Sequence, residues 1–167
     1  MEQQHLKLSE VYRQGKPVIS FELFPPKTEE GMTSLFEHLK ELVLCKPSFI
    51  TCTYGAGGST RERTLEVLRS VHAAYPHMPI ASHLTCVGAT RDDLRDYIRR
   101  AVEAGVDRIV ALRGDPPRGE AEFRPAEGGL SYAEELVALI REEFPGLGVI
   151  VAGYPETHPE APSLAKD

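Results

Sequence analysis

A short apolar run followed by an amphipathic helix recurs roughly every thirty residues along this 167-residue chain, and that alternation restricts the fold more than any single motif does. The runs Val18–Phe24, Phe49–Tyr54, Ile80–Cys86, Ile109–Leu112 and Val149–Tyr154 predict five strands. Between them apolar residues fall at helical spacing: Met32, Leu35, Phe36, Leu39, Leu42 and Val43, then Leu65, Leu68 and Val71. The pattern continues with Leu94, Tyr97, Ile98, Ala101 and Val102, and with Leu136, Val137, Ile140 and Phe144. Ser59 with Glu62, Thr90 with Asp93, and Ser131 with Glu134 predict helix starts, and Gly105 predicts a helix stop. Residues 1–16 are polar and predict a helix over one end of the core. A strand joined to the next through a helix makes a right-handed parallel βαβ unit. No Gly-x-Gly-x-x-Gly follows the first strand, and Gly55-Ala56-Gly57-Gly58 lacks the lysine of a phosphate-binding loop. The fold predicted is α/β, of (β/α)8 TIM-barrel type, truncated to about five βα units.

Composition bounds the partners. A hydrophobic fraction of 41% and a charged fraction of 26% belong to a globular chain with a real core. A net charge of −6 argues against nucleic acid or an anionic membrane as main partner. No apolar run approaches the roughly 20 residues of a membrane span, and Met-Glu-Gln-Gln-His does not begin a signal peptide. Cys45, Cys52 and Cys86 contain no Cys-x-x-Cys pair and read as reduced, half-buried fillers in a cytoplasmic protein.

The strand ends carry the chemistry. Ile109–Leu112 stops abruptly at Arg113-Gly114-Asp115, and Pro116 and Pro117 cannot extend a sheet ladder. All five predicted strands deliver polar groups to the same end: Glu22; Thr53 and Tyr54; His83 and Thr85; Arg113 and Asp115; Tyr154, Glu156 and His158. In a barrel those ends converge on one face. Asp115–Gly129, the longest irregular segment, predicts a functional or mobile loop. A carboxylate such as Glu22 inside an apolar strand needs either a partner or a raised pKa. His83 also reads as a hydrogen-bonded core histidine, Tyr154 as core and His158 as loop surface. Two chemistries could use the set. Glu22, His83, Asp115 and His158 could hold a divalent metal for hydrolysis, although no two share metal-motif spacing. Alternatively, an organic cofactor could lie across the mouth.

Five segments in order carry a resemblance: Ser20–Lys27 (SFELFPPK), Thr51–Gly58 (TCTYGAGG), His83–Cys86 (HLTC), Ala111–Pro117 (ALRGDPP) and Tyr154–Ala161 (YPETHPEA). Together they closely resemble the 5,10-methylenetetrahydrofolate reductase family, from about Val18 to Asp167. The resemblance implies that residues 1–167 are the N-terminal part of a single flavin-binding barrel domain whose family pattern continues for three more strands. It implies FAD as cofactor and NADH or NADPH as reductant. The implied reaction reduces 5,10-methylenetetrahydrofolate to 5-methyltetrahydrofolate, in one-carbon metabolism and methionine biosynthesis. It also implies a cytoplasmic enzyme, homo-oligomeric at full length, without nucleic-acid or membrane partners.

Residue roles follow from the resemblance by matching motifs. Glu22 is similar to the family's general acid, and its neighbours Phe21, Leu23 and Phe24 would desolvate it and raise its pKa. Asp115 is similar to the aspartate beside the flavin. Thr53, Tyr54, His83, Arg113 and Gly114 match flavin-contacting positions, as do Tyr154, His158, Glu160 and Asp167. Of these, Arg113 and His158 match partners of the FAD phosphates and ribose. The alternatives to this reading are a metal-dependent barrel hydrolase and an inactive fragment that binds flavin or a partner without turnover.

Overall fold

Five parallel strands lie side by side in sequence order in the computed structural model, which describes residues 8–13, 15–54, 61–116, 119–120, 122–158 and 161–166. They are β1 (Ser20–Leu23), β2 (Phe49–Cys52), β3 (Ile80–Thr85), β4 (Arg108–Leu112) and β5 (Gly148–Val151). A short helix α1 (Leu8–Tyr12) precedes them; of the predicted helix over 1–16, residues 1–7 and 14 lie outside the described residues. The crossovers carry α2 (Glu29–Leu44), α3 (Arg61–Ala74), α4 (Arg91–Glu103) and α5 (Ala133–Glu143).

Register shows which way each strand faces. Leu23 is level with Cys52, Cys52 with Ser82, and Ser82 with Ile109. Side chains alternate along a strand, so Leu23, Ile50, Cys52, Ile80, Leu84, Ile109 and Ala111 share one face. All seven belong to one core cluster with Leu39, Leu65, Leu68, Leu94, Ile98, Leu136 and Ile140 of the helices. The alternate residues, among them Glu22, Thr51, Ala81, His83, Thr85 and Val110, share the opposite face and are outside that cluster. Helices confined to one face of a parallel sheet in sequence order define the singly wound, barrel-type arrangement. The second face is the inside of the curve.

Helix boundaries are set by side-chain caps. Thr28 accepts the Gly31 amide at 3.1 Å to open α2. Thr90 and Asp93 form the predicted capping box of α4: the Thr90 hydroxyl accepts the Asp93 amide at 3.1 Å and Asp93 accepts the Thr90 amide at 2.9 Å. Gly105 stops α4 with φ +91°, where a Cβ would strike the His72 ring. The cap of α5 is shifted by one residue from the prediction. Tyr132 is the N-cap, and Glu135 rather than Glu134 accepts the Ser131 and Tyr132 amides. The predicted Ser59 cap lies outside the described residues. Val102, expected inward, is 46% exposed. Cys52 and Cys86 are fully buried and Cys45 is exposed, so none is half-buried. Among the described residues no helix is long and apolar enough to cross a membrane.

Candidate active site

The end of β4 is fixed from β3. The Cys86 and Val87 amides both donate to the Arg113 carbonyl, at 3.0 and 3.2 Å, so the chain after Leu112 stays aligned with the sheet. Gly114 then turns with φ +87°, and a Cβ there would sit 3.0 Å from Thr85 Cβ and 3.1 Å from Val87 Cγ1. Only glycine combines that angle with that closeness. The turn presents the exposed Asp115 at the mouth of a hollow of about 650 Å³. Its walls are the carboxyl ends of β2 to β5, with Tyr54, Thr85, Arg113, Gly114, Tyr154 and His158 among them.

Several polar groups are held in place around it. The Arg113 guanidinium stacks on Phe123, 5.2 Å from the ring centre. Phe123 packs against the core, so the long segment after Asp115 folds back over the strand end at this point. Further along, the Arg91 amide donates to the Gly128 carbonyl at 3.2 Å, tying that segment to the start of α4. Tyr154 stands beyond β5, not within it, and is 51% exposed. Its ring meets that of His158 edge-on, centroids 4.6 Å apart. Between them Thr157 has φ +90°, a conformation a β-branched residue rarely adopts. That strain of roughly 1–3 kcal/mol is typical of functional segments, and no residue pattern announces it. Tyr54 is buried under the Arg61 guanidinium, 5.5 Å from the ring centre, and burial raises its phenol pKa, with Arg61 partly opposing.

Glu22 and His83 form a second cluster on the same concave face, outside the walls of the hollow. His83 Nε2 lies 3.2 Å from Glu22 Oε2. Burial lowers the His83 pKa and the Glu22 charge opposes this. The desolvation expected of Glu22 is not found: its side chain is 47% exposed. Phe21 and Leu23 face the helix side, and Phe24 is 68% exposed, so none of the three covers the carboxylate. Of the two requirements set by an apolar strand, the structure supplies the partner. Thr53 is held by its backbone, its amide donating to the Leu23 carbonyl at 2.9 Å and its carbonyl accepting the Thr64 hydroxyl at 2.9 Å, and its side chain does not line the hollow. Glu156 is exposed. Glu160 and Asp167 lie outside the described residues.

Residue patterns alone missed the apolar part of the wall: Val87 beyond β3, Ala133 opening α5, and Val151 to Gly153. The two small residues Ala152-Gly153 between a predicted strand and Tyr154 are the signal that could have marked it.

One polar atom bears directly on a bound group. Thr85 Oγ1 is buried on the hollow wall and finds no partner among the described residues. An orphaned buried hydroxyl beside a concave, mostly apolar wall with an arginine fits a planar organic cofactor that carries hydrogen-bonding edges and phosphates. For the hydrolase alternative, no three His, Cys, Asp or Glu side chains cluster at metal-holding range among the described residues.

Fold and site together define an α/β barrel-type protein with a polar strand-end site and a mostly apolar hollow. A profile of the methylenetetrahydrofolate reductase family matches residues 7–167, and the chain belongs to that family. It is 40% identical over 156 residues to a protein of Oryza sativa subsp. japonica named probable methylenetetrahydrofolate reductase (NADH), covering 93% of this chain and 26% of that one. It is 40% identical over 154 residues to 5,10-methylenetetrahydrofolate reductase of Escherichia coli, covering 92% of this chain and 49% of that one. The chain thus spans about a quarter to a half of the length of these relatives. A solved structure from Aquifex aeolicus VF5 superposes with a TM-score of 0.53 at 16% identity, over 80% of this chain and 54% of that one, a likeness of fold alone.

Proposed function

We propose that this chain supplies part of the active site of a flavin-dependent reductase that converts 5,10-methylenetetrahydrofolate to 5-methyltetrahydrofolate at the expense of NADH or NADPH, in one-carbon metabolism and methionine biosynthesis. The observation that carries the reading is the pairing of the hollow, with its orphaned Thr85 hydroxyl, and an ionisable carboxylate–imidazole pair on the same concave face. Family membership supports the substrate, and the name of the Oryza sativa relative supports NADH. A cytoplasmic setting fits three free cysteines.

FAD bound in the hollow would supply hydride transfer from the nicotinamide to the folate. The residues of this chain then have separable tasks. Tyr54, Thr85 and Tyr154 offer hydroxyls and ring faces along the wall. Arg113, steadied by Phe123, and His158, steadied by Tyr154, are the groups suited to phosphate and ribose. Asp115 places a negative charge at the mouth, where it favours cationic character developing on the folate. Glu22 donates the proton that opens the five-membered ring of the folate. A full-length protein carrying residues 1–167 should purify yellow with bound flavin. After anaerobic bleaching by NADH or NADPH, its colour should return on adding methylenetetrahydrofolate. A colourless protein that takes up no FAD, or a bleached one that the folate does not reoxidise, would refute the reading.

A further inference from the structure

Glu22 stands on β1 and His83 on β3, with β2 between them. Register makes Glu22 level with Thr51 and Ala81, so His83 lies two strands across and two residues along. At about 4.8 Å per strand and 3.3 Å per residue, the two side chains must reach towards each other over roughly 11–12 Å of sheet. They do so because Thr51, beneath the bridge, is short and itself buried. Two long polar side chains meeting over a neighbouring strand are not sheet pairing. Their contact at 3.2 Å lies within ion-pair range.

Among the described residues, Glu22 is the charged group that acts on His83. On β2 and just past it, Thr51 and Thr53 do not titrate, and Cys52 faces the helices with its thiol pushed up to about 12 by burial and by the Glu22 charge. On β4, His83 is level with Val110, and Leu112 follows on the same face. Arg108, on that face but level with Ala81, pairs with Asp107 at 2.6 Å. Arg113 and Asp115 lie beyond the end of β4, on the hollow.

We propose that His83 is the positioning residue for Glu22 and passes it the proton that Glu22 delivers to the substrate. The proposal rests on the functional reading above for that last step. An exposed carboxyl group ordinarily surrenders its proton near pH 4.3 and would be a poor acid at neutral pH. His83 takes a proton from solvent, and its Nε2, 3.2 Å from Glu22 Oε2, is close enough to hand it on. When substrate covers the concave face, a neutral acid beside a neutral imidazole is favoured over two desolvated charges, and the proton crosses to the carboxylate. The acid then protonates the ring nitrogen of the folate, leaving Glu22 as carboxylate and His83 neutral, ready for the next proton. No other reactant is consumed.

The test uses a full-length protein carrying this segment, in two arms. In the first, the His83 ring is titrated by NMR with labelled histidine, with and without Glu22→Gln, with no change at His83 itself. Removing the carboxylate should lower the His83 pKa by about one unit or more; an unmoved pKa overturns the pair. In the second, flavin-loaded, pre-reduced His83→Gln is mixed with methylenetetrahydrofolate across pH. Its folate step should be slowed at least about tenfold near pH 8 and recover most of that loss near pH 6. A loss equal at both pH values would mean a structural role and overturns the relay. A parent protein that shows the coupling but never reduces the folate refutes the functional reading and leaves the pair standing.

Discussion

Asp115 owes its place to the glycine before it. Gly114, pressed to 3.0 Å from Thr85 by the close approach of two strand ends, is what turns the chain so that a charged group faces the hollow. If that charge lies near bound flavin, Asp115→Asn should raise the flavin reduction potential, on the order of tens of millivolts, and slow folate reduction more than flavin reduction. Spectroelectrochemical titration of the variant measures this, and an unchanged potential would remove Asp115 from the neighbourhood of the flavin. The segment Arg113-Gly114-Asp115 was legible as a strand end that opens on the hollow because charge follows an apolar run without transition. The Glu22–His83 contact was not, because it joins residues 61 positions apart through a register that no local pattern encodes. The half-exposed state of Glu22 was misread for a related reason: in a strand, the neighbours in sequence point the other way.

At the level of elements, each helix is tied to the next around the outside of the sheet. Arg63 of α3 binds Glu29 of α2 at 2.7 Å, Arg100 of α4 binds Glu62 of α3, and Arg95 of α4 binds Glu143 of α5 at 2.7 Å. These exposed bridges add little each and fix orientation more than stability. The Thr90–Asp93 box contributes more, and Thr90→Ala should cost about 1 kcal/mol in denaturant unfolding of a full-length protein. Bonds from the Thr90 hydroxyl and amide hold the Asp93 carboxyl below its ordinary 3.8. Its folded pKa is depressed, so its stabilisation is present above pH 3.8 and is lost as pH falls through the lower folded value. The Thr90→Ala penalty should therefore shrink on acidification below pH 3.8; a penalty that persists unchanged there would mean the box is not its source. Element order and type were readable because helical and strand periods differ so clearly. The ends were less so: apolar Val18-Ile19 and Ala152 extend the pattern past the residues that actually pair.

On the scale of the whole molecule, the central strands are covered and the outer ones are not. Residues of β2 are all buried, whereas β1 and β5 are mostly exposed or intermediate. Val151 on β5 is 59% exposed, and Phe24 just past β1 is 68% exposed. Covering even a few hundred Å² of such surface at about 25 cal/mol per Å² is worth several kcal/mol, comparable with a domain's net stability of roughly 5–15 kcal/mol. Residues 1–167 expressed by themselves should therefore self-associate and hold FAD weakly at best, as sedimentation and absorbance would show. A monodisperse yellow monomer would mean that the open edges need no covering. The alternation of strand and helix made the barrel-type winding legible, while the curvature that brings Tyr154 and His158 round to Arg113 depends on the twist of the assembled sheet and on a strained Thr157.

The central claim, that the strand-end face performs folate reduction with Glu22 as its proton donor, is tested most directly by separating the two half-reactions in Glu22→Gln. Rapid mixing of a full-length, flavin-loaded variant with NADH or NADPH should give flavin reduction within a few-fold of the parent. Mixing the reduced variant with methylenetetrahydrofolate should give a loss of at least about 10²-fold, because only that half needs the proton. Equal loss in both halves would make Glu22 structural, and an unimpaired folate half-reaction would place the proton donor elsewhere.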